Sequence, residues 1–240
     1  MPNWSEFAWA AFLYGSLGGD QHYQGLMQND AFLSSLRLNP TGLVDADIRQ
    51  HLLKGYLNAW NTRVPVSSAA AIKASINDMV PWLSALSGFS IKTVDFQNVL
   101  KVSGQRSTVA DAVEVCYRIF RATSYIGATA TGKVLHVLNP ELFVMWDRPI
   151  LNYLSRKSAI SDSPQGYRIF LQQMNREAVH ICSSFTAAVL NPPSESGDSP
   201  DAYLSRQMNY NPPKTMAKYL DEYNWVTITR HVSVPPRWHP

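Results

Sequence analysis

The pattern that most restricts this chain is apolar residues recurring at the helical period, segment after segment, with caps and prolines between them. Residues 107–124 (STVADAVEVCYRIFRATS) are the clearest case. Ser107 or Thr108 supplies an N-cap, Asp111 and Glu114 favour the positive end of the helix dipole, and Arg118 and Arg121 favour the negative end. Residues 43–61 place Leu43, Ile48, Leu52, Leu53, Tyr56, Leu57 and Trp60 on one stripe, with Asp45 or Asp47 to start the helix and Arg63-Val-Pro to stop it. Residues 67–86 repeat the period through Ile72, Ile76, Val80 and Leu83, with Pro81 expected to kink or shorten the helix and Gly88 to end it. Shorter helices are expected over 130–138 and 148–157, a long one over 164–190, and a last one over 213–223. The tail 225–234 (WVTITRHVSV) alternates and is β-branched, so it is read as the one strand. The fold class is therefore all-α or nearly so, about ten helices in a single domain over 1–240. Two lobes with a cleft between them are expected, and 191–201 (NPPSESGDSPD) is expected to be an exposed loop.

Composition excludes several functions. No apolar run reaches the roughly 18–20 residues that span a bilayer, so no membrane role is expected. Residues 7–17 (FAWAAFLYGSL) have no basic segment before them and are read as a buried first helix, not a signal peptide. Cys116 and Cys182 lie in apolar helical patterns and are read as reduced, buried thiols of a cytoplasmic protein. With no paired cysteines and no His-x-x-x-His spacing, neither a metal site nor a cofactor is expected. Charge is uneven: residues 101–176 carry ten Lys and Arg against five Asp and Glu, whereas the flanking stretches are each slightly acidic. A basic middle suits a polyanionic partner.

That basic middle contains IGATATGKVLHVLNPELFVMWDRPILN, residues 126–152. Its first residues are small and precede a helix. Such a turn presents free backbone amides to an anion, so Gly127, Thr129, Thr131, Gly132 and Lys133 are candidate phosphate contacts. The spacing from Gly127 to Gly132-Lys133 matches a nucleotide-binding loop, but Val134 stands where that motif needs Ser or Thr, and no strand precedes it. At the other end Asp147 precedes Arg148-Pro149, the signature of an N-cap. A capping carboxylate that also faces a cleft is a preorganised anion.

The order helix, small-residue turn, helix, Pro140, apolar extension, Asp147, helix resembles the helix-hairpin-helix DNA glycosylase superfamily over about residues 107–152. The resemblance implies a partner, double-stranded DNA, whose phosphates the hairpin amides hold. It also implies a catalytic Asp147 that stabilises oxocarbenium character while an N-glycosidic bond breaks and water attacks. The target base would be flipped into a pocket, for which Trp146, Trp60, Tyr56, Asn58, Arg63 and His136 are candidates. The lyase branch of the family carries a lysine soon after the hairpin glycines. Anchoring on Pro140 and Asp147 puts that position near Thr129 or Thr131, so the resemblance implies a monofunctional enzyme, with Lys133 as a phosphate contact. Divergent flanks are compatible with a role in phage defence, removing bulky bases such as glucosylated cytosine. A non-catalytic DNA-binding module and a helical protein–protein adaptor are the alternatives.

Overall fold

The structure is a computed structural model that describes residues 1–18, 20–188 and 198–233. It is mostly helical with one two-stranded sheet. In chain order the elements are α1 (Trp4–Ser16), α2 (Gln21–Met27), α3 (Asp30–Leu38) and the short α4 (Asp45–Asp47), which passes into a π-helix over Ile48–Leu57. Then come α5 (Ala69–Ala85), the antiparallel strands β1 (Val99–Val102) and β2 (Gln105–Thr108), α6 (Val109–Arg121), α7 (Ala128–Leu138) and α8 (Arg148–Ser155). The chain continues with α9 (Pro164–Ala188), α10 (Pro200–Gln207) and α11 (Met216–Asn224), which runs on as a second π-helix over Trp225–Thr229.

α6 forms as its sequence dictates. Thr108 and Asp111 make a reciprocal capping box, which satisfies donors that the first turn cannot pair internally. Val109, Ala112, Val113, Cys116, Tyr117 and Phe120 are fully buried, because α5 packs on one side of α6 and α9 on another. α7 is more deeply placed. Every residue from Ala130 to Leu138 is buried, so this helix is the spine of the core and not a surface element.

Several expectations are corrected. The tail 225–229 is π-helical, not a strand: α11 carries straight into it, and Val226 packs against Ala10 and Tyr14. The helix expected over 43–61 is π-helical over Ile48–Leu57, with Ile48, Leu52, Leu53, Tyr56 and Leu57 buried on one face and Arg49, Gln50, Lys54 and Gly55 exposed on the other. α5 runs through Pro81 to Ala85 without being shortened. α7 begins at Ala128, two residues earlier than expected, which carries Thr131, Gly132 and Lys133 into the buried body of the helix. Of the loop expected over 191–201, residues 191–197 lie outside the described residues. Pro200 and Asp201 are buried at the start of α10, where Asp201 pairs with Lys92 at 3.0 Å.

The hairpin of β1 and β2 was not foreseen. Ser103 and Gly104 form its two-residue turn, both with positive φ (50° and 84°), the geometry that matches the twist of the paired strands. The Ser-Gly pair between short β-branched runs was the available signal.

Candidate functional site around Asp147 and Lys133

The apolar extension between α7 and α8 explains why a carboxylate follows Phe-Val-Met-Trp. Leu142 to Trp146 form no regular element, yet all are buried. An irregular segment in a core must satisfy its polar groups with side chains. His136 Nδ1 donates to the Phe143 carbonyl (2.7 Å) and the Tyr167 hydroxyl to the Val144 carbonyl (2.9 Å). The Tyr56 hydroxyl meets the Met145 sulfur (3.2 Å), and Trp146 Nε1 donates to the Ala128 carbonyl (3.2 Å). The segment is thus clamped to the core, and Asp147 emerges from it at a fixed place.

Asp147 caps α8. Its Oδ1 accepts from the Ile150 amide at 2.8 Å. Its Oδ2 accepts from the Thr229 hydroxyl at 3.0 Å, and Thr229 also lies 3.3 Å from Oδ1. The carboxyl is half-buried, and burial pushes its pKa above the usual carboxylate value. The Ile150 amide, the Thr229 hydroxyl and the charge of Lys133 oppose that shift, while Asp221 reinforces it.

Lys133 is 7% exposed. Among the described residues its ammonium group has no hydrogen bond or ion pair. It sits over the Trp60 ring, 4.2 Å from the centroid, and 5.9 Å from that of Tyr56. Burial lowers its pKa to about 8, assisted by Lys218 and opposed by Asp221 and Asp147. The expected exposed phosphate contact is therefore a buried amine that lies against two aromatic rings.

A cleft of about 560 Å³ is lined among others by Trp60, Thr62, Gly127, Thr129, Arg148 and Arg121; Asp147 and Lys133 do not line it themselves but adjoin Arg148 and Trp60, which do. Gly127 caps α7 without a side-chain bond, and the amides of Ala128 and Thr129 in the first turn have no intrahelical acceptor. Arg121 is already engaged. It holds Asp162 (3.1 Å) and donates to the Ile126 carbonyl (2.9 Å), which fixes the turn before α7. Trp60 joins the two regions: it covers Lys133 and also lines the cleft. Its indole N–H is buried and has no acceptor among the described residues.

Other candidates are placed elsewhere. Trp146 is 1% exposed and packs against Tyr117, Tyr167 and Phe170, so no base can stack on it. Tyr56 is fully buried as well. Thr131 is fully buried and its hydroxyl returns to the Gly127 carbonyl at 3.1 Å. Gly132 is a packing residue: a Cβ there would lie 3.0 Å from Cδ1 of Trp146. His136 is a core histidine. Its Nδ1–H donates to Phe143, so its Nε2 accepts from the Tyr23 hydroxyl at 3.1 Å, and burial lowers its pKa to about 3. Asn58 reads no base edge, because it staples its own loop, with Nδ2 on the Val64 carbonyl and Oδ1 on the Val64 amide, both at 2.8 Å. The stapled loop holds Asn61 and Arg63 at positive φ (58° and 57°) and leaves both exposed; Asn61 lines the cleft and Arg63 does not. Of the expected phosphate contacts, Gly127 and Thr129 remain at the cleft.

Sequence reasoning missed Thr229, and also Asp221, which pairs with Lys218 at 3.0 Å inside a buried cluster with Asp20, Lys214 and Glu222. No short motif marks either residue. Among the described residues no group of three or more His, Cys, Asp or Glu is placed to hold a metal ion, and no helix is long and apolar enough to cross a membrane. Compared with protein-family models, with curated proteins and with solved structures, the chain matches none.

Proposed function

We propose that this chain is a DNA glycosylase of the helix-hairpin-helix kind, cleaving the N-glycosidic bond of a modified or damaged base flipped out of double-stranded DNA. One observation carries the reading: a carboxylate pinned at a helix head, Asp147, and a buried amine with no hydrogen bond or ion pair among the described residues, Lys133, each adjoin a residue that lines the cleft, Arg148 next to Asp147 and Trp60 over Lys133. A core gains nothing from an unpaired ammonium, and such groups concentrate where chemistry needs them.

In the hydrolytic route, water attacks the sugar C1′ as the C1′–N bond breaks. The base leaves with the electron pair and takes up a proton. Asp147 stabilises the positive charge that develops on the sugar and orients the water. The Gly127 turn and Arg148 hold flanking phosphates.

A second route would use Lys133, and it requires Trp60 to move aside and open the buried amine to the cleft. With a pKa of about 8, roughly a tenth of this amine is neutral at pH 7, against a vanishing fraction for an ordinary lysine. A neutral Nζ attacks C1′, the base departs, the nitrogen loses a proton, and the sugar ring opens to an iminium. Elimination then breaks the strand on the 3′ side.

The test is incubation with duplexes carrying a panel of modified bases, glucosylated hydroxymethylcytosine among them. Abasic sites that break only on alkali support the hydrolytic route; strand breaks without alkali and a borohydride-trapped adduct support the amine route. Salt-sensitive binding with no base loss on any duplex would leave a DNA-binding module without chemistry.

A further inference from the structure

Resting on that reading, we infer that Thr229 is a positioning residue for the reaction: its hydroxyl, delivered by the π-helical end of α11, sets the plane of the Asp147 carboxylate and leaves the second face of Oδ2 free for the reacting sugar.

The inference stands on geometry. Oδ1 of Asp147 is committed to the Ile150 amide at 2.8 Å, the ordinary duty of an N-cap. One such bond fixes one oxygen and leaves the carboxylate free to pivot about it. Thr229 supplies the second point, 3.0 Å from Oδ2, and comes from a segment 82 residues away that packs against α8. Two donors from two elements define the plane of a carboxylate; one does not. Among the described residues Oδ2 has a single donor, the Thr229 hydroxyl, which also lies 3.3 Å from Oδ1, and Oδ2 keeps unused acceptor capacity.

The backbone is shaped for this contact. The Arg230 amide returns to the Trp225 carbonyl at 2.9 Å, the longer hydrogen-bonded turn of a π-helix. π turns in helices are frequently found at functional sites. Thr227, two residues earlier, spends its hydroxyl on its own helix at the Tyr223 carbonyl (2.8 Å). Thr229 reaches across to Asp147 instead. A helical threonine chooses between two χ1 rotamers, one of which returns the hydroxyl to its own helix as in Thr227; at Thr229 the hydroxyl is on Asp147.

The charged groups around the carboxylate are Lys133 from α7, Asp221 from α11 and Arg148 next to it on α8. Removing the Thr229 donor leaves these unchanged, so its effect is separable from theirs.

The experiment compares Thr229→Val, which keeps the shape and removes the hydroxyl, with Thr229→Ser, which keeps the hydroxyl. The Asp147 carboxyl is titrated by carbon NMR, and single-turnover base release is followed against pH. We expect the Val variant to titrate at higher pH than the wild type and to release base roughly tenfold more slowly with unchanged DNA affinity. The Ser variant should follow the wild type in both. A Val variant that titrates and reacts like the wild type overturns the inference, as does a Ser variant as impaired as Val. If the wild type releases no base, the glycosylase reading falls, and the titration alone decides: a shift in Val restored in Ser supports positioning, and three equal curves refute it.

Discussion

The ammonium nitrogen of Lys133 lies 4.2 Å from the centroid of the ring of Trp60, a residue that also lines the neighbouring cleft. The cation–π contact offsets part of the cost of burying the charge. It also means that any substrate approaching Lys133 from the cleft meets Trp60 first.

The buried ammonium costs stability that a functionless core would not retain. Its pKa of about 8 lies below the ordinary 10.5, so at pH 7 the folded state bears the full cost of holding the proton. The cost fades as pH rises from about 8 to 10.5. Lys133→Met should therefore stabilise the protein by about 3 kcal/mol at pH 7. Urea denaturation measures this, and a destabilised variant would mean that the amine has a partner. Under the amine route, the same variant forms no borohydride adduct.

His136 predicts an acid limb of stability. Its folded value of about 3 lies below the ordinary 6.5, so between these values the unfolded chain binds one more proton. The contribution is complete above pH 6.5 and falls by about 1.4 kcal/mol per unit below it. His136→Gln should be less stable at pH 7, having lost buried hydrogen bonds, yet show a flatter decline between pH 6 and 4. Parallel declines in both proteins would contradict the assignment.

The two glycines that flank the first turns of α7 should respond in opposite ways. At Gly132 an added methyl lies 3.0 Å from Trp146 Cδ1 and 3.4 Å from the Trp146 amide nitrogen, inside the clamped segment. Gly132→Ala should lose about 1–3 kcal/mol to overpacking, which outweighs the better helix propensity of alanine. At Gly127 a Cβ meets nothing within 4 Å. Gly127→Ala should fold normally and lose only DNA affinity, where a phosphate needs the bare backbone. Melting temperatures and a binding titration of both variants separate packing from contact.

How much of this was legible follows from where each signal resides. Local chemistry was readable: the Thr108–Asp111 box, the α6 stripe and the Asp147 cap all lie within a few residues of their partners. The π-helices were not, because a stripe such as Ile48, Leu52, Leu53, Tyr56 and Leu57 fits either helical repeat. The alternation in 225–234 resembled a strand, and packing on Tyr14 and α8 overrode it. Placing the start of α7 two residues late moved Thr131, Gly132 and Lys133 from the core to an imagined surface. Thr229 was out of reach, since its meaning depends on a partner 82 residues away.

The most direct test of the central claim is base release by the wild type and by Asp147→Asn on the same duplexes. Asparagine is as good a cap as aspartate, so the variant should fold with nearly unchanged stability. The account predicts base release from at least one modified duplex by the wild type, its loss in Asp147→Asn, and DNA affinity retained by both. Equal release by the two proteins would contradict it.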